Sequence, residues 1–176
     1  FPTFENPYNG PMIKLEEIRK PVEQEMKEFN KRFRAAISSP IPLLNLVTRY
    51  VLRRKGKQIR PLFVFLSSKL TGEITDSSYT AASLIELMHT ATLVHDDVVD
   101  ESNERRGAFS INAIWKSKVA VLFGDYLLAR GLLMAVERKE YDLLEIVSNA
   151  SREMSEGELL QIQKSRSLNI DMETVS

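Results

Sequence analysis

The sequence predicts an all-α fold, and three observations carry that expectation. Apolar residues recur at spacings of three and four almost throughout, only 7 glycines and 7 prolines interrupt 176 residues, and alternating strand patterns are nearly absent. A hydrophobic content of 43% is enough for the core of one domain. The 24 lysines and arginines balance 24 aspartates and glutamates, so no global field directs the chain to nucleic acid or to an anionic membrane. The absence of cysteine excludes disulfides and thiolate metal sites and suits a reducing cytoplasm. The most apolar stretch, 119–136, is interrupted by Asp125 and Arg130 and reads as a buried helix rather than a membrane span. No secretory signal is visible.

Residues 1–11 contain Pro2, Pro7 and Pro11 and show no helical pattern, so they read as a leader or expression remnant, with Met12 a candidate start and 12–176 a single domain. From Ile13, the series Ile18, Val22, Met26, Phe29 and Phe33 suits an amphipathic helix with Pro21 near its beginning. Ser38-Ser39-Pro40 breaks it, and Leu43 to Leu52 forms a second helix. A third runs over 62–70, and Thr71-Gly72 ends it. After a polar loop come a short segment near Trp115, a helix over 118–137, and another from Tyr141 to about Lys164. Trp115, Met134 and Met154 read as core packing residues.

The central element is a helix expected over 76–100, capped by Asp76 or Ser77 and ending in His95-Asp96-Asp97-Val98-Val99-Asp100-Glu101. At about 100° per residue, Asp96 and Asp100 share a face with Thr92, His89 and Ile85. Leu84, Leu87, Met88, Ala91, Leu93, Val94, Val98 and Val99 occupy the rest, which places the helix at the centre of the domain. Three carboxylates at a helix C-terminus repel one another and face the negative end of the dipole, at roughly 0.3–1 kcal/mol per charge. A divalent cation reverses that sign, and Mg²⁺, which keeps several waters and bridges to phosphate, suits two aspartates one turn apart. A solvated acidic helix end is the alternative for such a cluster taken alone.

Arg53 to Pro61 carries five cations in a run with Gly56, which permits a sharp turn, and Pro61, which suits the first turn of the next helix. Such a turn offers an anion backbone N–H groups and the positive dipole end, with Lys57 and Arg60 adding charge-assisted bonds. It reads equally as a solvated basic turn. It is not a Walker loop, since the glycine spacing differs and no serine or threonine follows the lysine. Arg105 and Arg106, just past the aspartates, present forks that match phosphate oxygens. Glu158 and Gln161 share a helical face near Gly157.

These segments together, GKQIRP at 56–61, HTATLVHDDVVDESNERRG at 89–107 and GELLQ at 157–161, resemble the amino-terminal half of trans-isoprenyl diphosphate synthases, most nearly the octaprenyl and solanesyl kinds. The likeness covers most of the chain after Met12. A class I terpene cyclase shares the aspartates but not the GKxxRP or RRG segments.

The resemblance implies an isoprenoid-synthase helical bundle around a central cavity, of which this chain supplies the amino-terminal half. It implies that Asp96 and Asp100, with Asp97 beside them, bind Mg²⁺ bridging an allylic prenyl diphosphate. Arg105 and Gln161 would help hold that diphosphate, while Lys57, Arg60, His89 and Arg106 would hold isopentenyl diphosphate. The implied reaction is a head-to-tail 1'-4 condensation giving an all-trans polyprenyl diphosphate. Ala91 and Thr92, five and four residues before Asp96, occupy positions where the family limits the growing tail. Neither is aromatic, which implies a medium- or long-chain product, with Leu133 or Met134 as deeper stops. The family likeness also suggests a homodimer.

The second aspartate-rich motif and the Lys-Thr pair of the family's other half do not occur in these residues. The expectation is that they do not turn over substrate alone. Two other classes stand beside the enzyme: a non-catalytic subunit of a heteromeric prenyl synthase, and a helical structural domain whose charged turns are only solvated.

Overall fold

The computed structural model describes residues 14–53, 56–100, 104–105 and 108–174, with the backbone alone at 104–105, 108 and 166–174. Seven helices and one small hairpin follow in order among these residues: α1 Leu15–Arg19, α2 Glu23–Ala36, α3 Pro42–Arg53, α4 Ile59–Thr71, α5 Asp76–Val99, strands β1 Glu104–Arg105 and β2 Ala108–Phe109, α6 Ile111–Glu137 and α7 Tyr141–Thr174. The expected leader, 1–11, lies outside the described residues.

Pro21 sits in a short 3-10 turn, Lys20–Val22, that divides the expected first helix into α1 and α2. Missing its N–H, proline begins α2 more easily than it continues α1. Val22, Met26, Phe29, Phe33 and Ile37 then bury one face of α2. Phe29 packs edge-on to Phe65 of α4 at 5.9 Å between ring centroids, and Phe65 meets Tyr79 of α5 at 5.0 Å. Arg32 lies 4.2 Å above the Tyr79 ring and bonds Asp76 at 2.6 Å, which fastens α2 to the start of α5.

Thr75, rather than Asp76 or Ser77, is the N-cap of α5, and its N–H donates to the Ser78 hydroxyl at 3.2 Å. The helix is central, as its composition predicts. Leu84, Leu87 and Ala91 are fully buried, and α6 packs along it in the opposite direction. Two glycines allow that close approach: a Cβ on Gly131 would lie 3.2 Å from Leu84 Cδ1, and one on Gly124 would meet the His95 ring.

Helix α6 begins seven residues earlier than expected and absorbs the segment near Trp115, with a kink at Lys116 where φ is 67° and ψ 163°. That conformation suits glycine, so the backbone there is strained. Among the described residues α6 alone is long and apolar enough to cross a membrane, yet 39% of that stretch is buried in this fold. Its polar residues serve the packing too, since Arg130 Nε donates to the Ala36 carbonyl at the end of α2, at 2.8 Å.

The polar loop after α5 holds an antiparallel two-residue hairpin, Glu104 opposite Phe109 and Arg105 opposite Ala108. Helix α7 packs through Leu143, Leu144 and Val147, and its described side chains from Arg152 to Ser165 are exposed. Met134 is buried as expected and Trp115 packs against the core, but Met154 is 63% exposed, because α7 has left α6 by that point.

Candidate functional site

A cavity of about 140 Å³ opens between α3, α5, α6 and the hairpin. Its apolar wall includes Phe33, Leu87, Val94, Phe123 and Leu127, and its polar lining includes Gln58, Glu86, His89, Thr90 and Asp97. The α5 side of it follows one helical stripe, residues 86, 87, 89, 90, 93, 94 and 97, at spacings of one, two, one, three, one and three.

This stripe corrects the expected face. Asp96, Asp100 and Thr92 are exposed, while Asp97 is buried at 4% exposure. The physical reason is helical phase. Leu84, Leu87, Ala91 and Val94 set the buried side, and one residue's rotation of about 100° carries Asp97 in and leaves Asp96 out. His89 therefore shares the cavity with Asp97 rather than Asp96. Val99, expected on the apolar surround, is 80% exposed.

The basic turn reaches the same cavity through its uncharged members, Gly56 and Gln58. Gln58 is the left-handed residue, with φ 48°, and is the N-cap of α4. Pro61 occupies the first turn of α4, as expected. The Gln58 amide nitrogen donates to Asn30 Oδ1 at 3.0 Å, and the Arg19 guanidinium donates to the Lys57 carbonyl. These two bonds tie the turn to α2 and α1. Lys57 and Arg60 themselves are exposed and do not line the cavity.

On the opposite side, Tyr50 of α3 donates its hydroxyl to the Phe109 carbonyl at 2.6 Å and meets Trp115 edge-on at 5.1 Å. Ser110 then caps α6, accepting from Ala113 N–H at 3.1 Å. The hairpin carrying Arg105 is thus fixed at its end to the cavity wall. Arg105 is described by its backbone alone, and Arg106, Arg54 and Lys55 lie outside the described residues.

The remaining candidates are scattered. Ala91 is fully buried against the core and Thr92 faces outward. Leu133 is 44% exposed, and Gln161 is exposed on the free part of α7. None of the four lines the cavity, nor does Met134.

No motif or spacing in the sequence singles out Tyr50, Glu86 or Thr90. His95 was legible only as part of the acidic cluster. Its contact with α6 could have been suspected from Gly124 and Gly131, two glycines seven residues apart inside an apolar helix.

The donor set fits Mg²⁺. Asp96 and Asp100 are one turn apart at the C-terminal end of α5, where Asp100 N–H donates to the Asp96 carbonyl at 2.8 Å. Neither carboxylate makes an ion pair among the described residues. No three acidic or histidine groups converge on one metal-sized point among those residues. Two carboxylates suffice for an ion that keeps its waters and takes further oxygens from phosphate.

A sequence profile of the polyprenyl synthetase family matches residues 41–176. The chain belongs to the polyprenyl synthetase family. It is 40% identical over 149 residues to the all-trans-nonaprenyl-diphosphate synthase (geranyl-diphosphate specific) of Rhodobacter capsulatus, covering 84% of this chain and 46% of that one. It is 37% identical over 150 residues to the octaprenyl diphosphate synthase of Escherichia coli, covering 85% and 46%. Among solved structures, a polyprenyl synthase from Caulobacter crescentus, complexed with calcium and isoprenyl diphosphate, superposes with a TM-score of 0.79 at 34% identity, over 85% of this chain and 45% of that one. The chain spans about half the length of the curated family relatives it matches. The expected isoprenoid-synthase fold and its partial extent therefore hold.

Proposed function

We propose that the protein containing this chain is a trans-polyprenyl diphosphate synthase that extends an allylic diphosphate with isopentenyl diphosphate to a medium or long all-trans product. One observation carries the reading: the aspartate-bearing helix α5 and the basic turn at 56–58 meet at one cavity, through His89 and Asp97 on one side and Gly56 and Gln58 on the other. The matching relatives named for nonaprenyl and octaprenyl products support the product class.

In this reading Asp96 and Asp100 hold Mg²⁺. When bound, the ion supplies positive charge to the diphosphate oxygens as the leaving group departs. Arg105 and Gln161 help to hold the allylic diphosphate. Lys57, Arg60 and Arg106 grip the isopentenyl diphosphate, and His89 faces it from α5. The double bond of isopentenyl diphosphate attacks C1 of the allylic partner, the C1–O bond breaks with its electron pair leaving on diphosphate, and a proton is then lost to restore the alkene. Charge develops on the departing oxygens, so cations fixed beforehand lower that barrier most. Asp97 lies closer to the cavity than either metal candidate and serves to orient groups within it. Thr92, exposed one turn before Asp96, is the better candidate for a tail-limiting position than Ala91. The whole protein is further proposed to be a cytoplasmic homodimer.

Product analysis of the full-length protein with isopentenyl and farnesyl diphosphates, with and without Mg²⁺, tests this. A medium- or long-chain product that forms only with Mg²⁺ supports the assignment. A farnesyl-length product counts against the product class, and no product points to the non-catalytic subunit.

A further inference from the structure

The contact between His95 and Gly124 has a consequence for the carboxylates beside it. His95 Nε2 lies 3.2 Å from the Val121 carbonyl oxygen and 3.5 Å from Asp125 Oδ1 on α6. Both neighbours are acceptors, so Nε2 carries the hydrogen and donates it to the carbonyl. The ring rests where residue 124 has no side chain: a Cβ there would lie 2.2 Å from Nε2 and 2.5 Å from Cδ2. With 29% of its side chain exposed, His95 is more enclosed than Asp96, Val99 or Asp100, which follow it.

That last turn of α5 needs an anchor. Its three carboxylates repel one another and face the negative end of the helix dipole. Two of them are exposed, and Val99 contributes little packing at 80% exposure. Holding His95 against α6 fixes the rotation of the turn. At about 100° per residue it sets Asp96 and Asp100 within about 40° of each other on the open side and turns Asp97 toward the cavity.

We propose that His95, seated over Gly124 and bonded to the Val121 carbonyl, is a positioning residue that holds Asp96 and Asp100 in register for a divalent metal and its diphosphate. The inference rests on the reading of those aspartates given above, and goes beyond it by naming the group that orients them. Partners that orient metal ligands commonly cost about 10–100-fold in metal affinity when removed.

The test is calorimetric titration of the full-length protein with inorganic pyrophosphate at fixed MgCl₂, comparing wild type with His95→Phe, His95→Gln and Gly124→Ala. His95→Phe keeps a ring but no donor, and should weaken Mg²⁺-dependent binding by about tenfold or more. His95→Gln places an amide N–H near the position of Nε2 and should stay within about threefold of wild type, which a purely space-filling role would not produce. Gly124→Ala leaves every hydrogen-bonding group in place, forces the ring aside and should match His95→Phe. It decides the question where His95→Phe fails to fold. Wild-type protein that binds no pyrophosphate with Mg²⁺ overturns the functional reading and the role of His95 with it. Wild-type binding that His95→Phe and Gly124→Ala leave unchanged, or that His95→Gln loses as fully as His95→Phe, overturns the role of His95 alone.

Discussion

His89 and Asp97, two turns apart on α5, line the same cavity, while Asp96 beside Asp97 faces outward. The aspartate cluster is therefore divided in its environment: one carboxylate belongs to the cavity and two to the open end of the helix.

Position 91 and position 92 should respond differently to bulk. Ala91 lies on the same stripe as Leu84 and Leu87 with no exposed surface, so Ala91→Phe should cost about 1–3 kcal/mol through overpacking. Thr92 is exposed, and Thr92→Phe should leave the thermal midpoint nearly unchanged. In the full-length protein Thr92→Phe should shorten the product. Thermal unfolding and chromatography of the products check the two halves separately.

The Tyr50 hydroxyl should matter to the hairpin. Its bond to the Phe109 carbonyl at 2.6 Å is lost in Tyr50→Phe, while the edge contact with Trp115 can remain. A stability loss of about 0.5–1.5 kcal/mol is expected. Because the hairpin carries Arg105, the KM for the diphosphate substrates should rise more than kcat falls. Equal KM values in wild type and variant would remove the hairpin from substrate binding.

Thr48 offers the opposite case. It is 6% exposed, lines the cavity, and its Oγ1 has no hydrogen-bond partner among the described residues. Replacing an unpaired buried hydroxyl with a methyl of similar shape removes a desolvation cost, so Thr48→Val should stabilise the protein by about 1 kcal/mol. A higher denaturant midpoint at unchanged slope would show it.

Acid should loosen the join between α2 and α5. The Arg32 guanidinium bonded to Asp76 holds that carboxyl below its usual range, by hydrogen bonding first and by charge second. A depressed carboxylate pKa stabilises the fold above the unfolded value of 3.8, and the effect is lost as pH falls through the lower folded value. The stability difference between wild type and Asp76→Asn should accordingly be present at pH 7 and shrink below about pH 4. A difference that persists at the acid end would assign the effect to something other than this pair.

Much of this architecture could be read from the residues. Helical periodicity located α3, α4, α5 and most of α6, and the GKQIRP and HDDVVD segments each supply residues that line the cavity, Gly56 and Gln58 from one and Asp97 from the other. The helical wheel failed on phase. It grouped His89 with Asp96 by spacing, but the buried side of α5 is fixed by its contact with α6, and that contact depends on Gly124 and Gly131, whose effect appears only when two helices meet. The early start of α6 was hidden for a related reason: Lys116 takes a backbone conformation that its side chain disfavours, and the sequence offers no glycine to announce the kink. Met154, expected in the core as an apolar side chain on a helix, stands among Arg152, Glu153, Ser155 and Glu156, and the helix that bears it runs out of partners among the described residues.

The most direct test of the central claim is Mg²⁺-supported turnover of the full-length protein when Asp96 and Asp100 are both changed to alanine, with Asp76→Ala as an acidic control far from the cavity. Removing the metal seat should lower kcat by about 10³-fold, close to 4 kcal/mol of transition-state stabilisation, while the control stays near wild type. Turnover retained in the double variant would contradict the account.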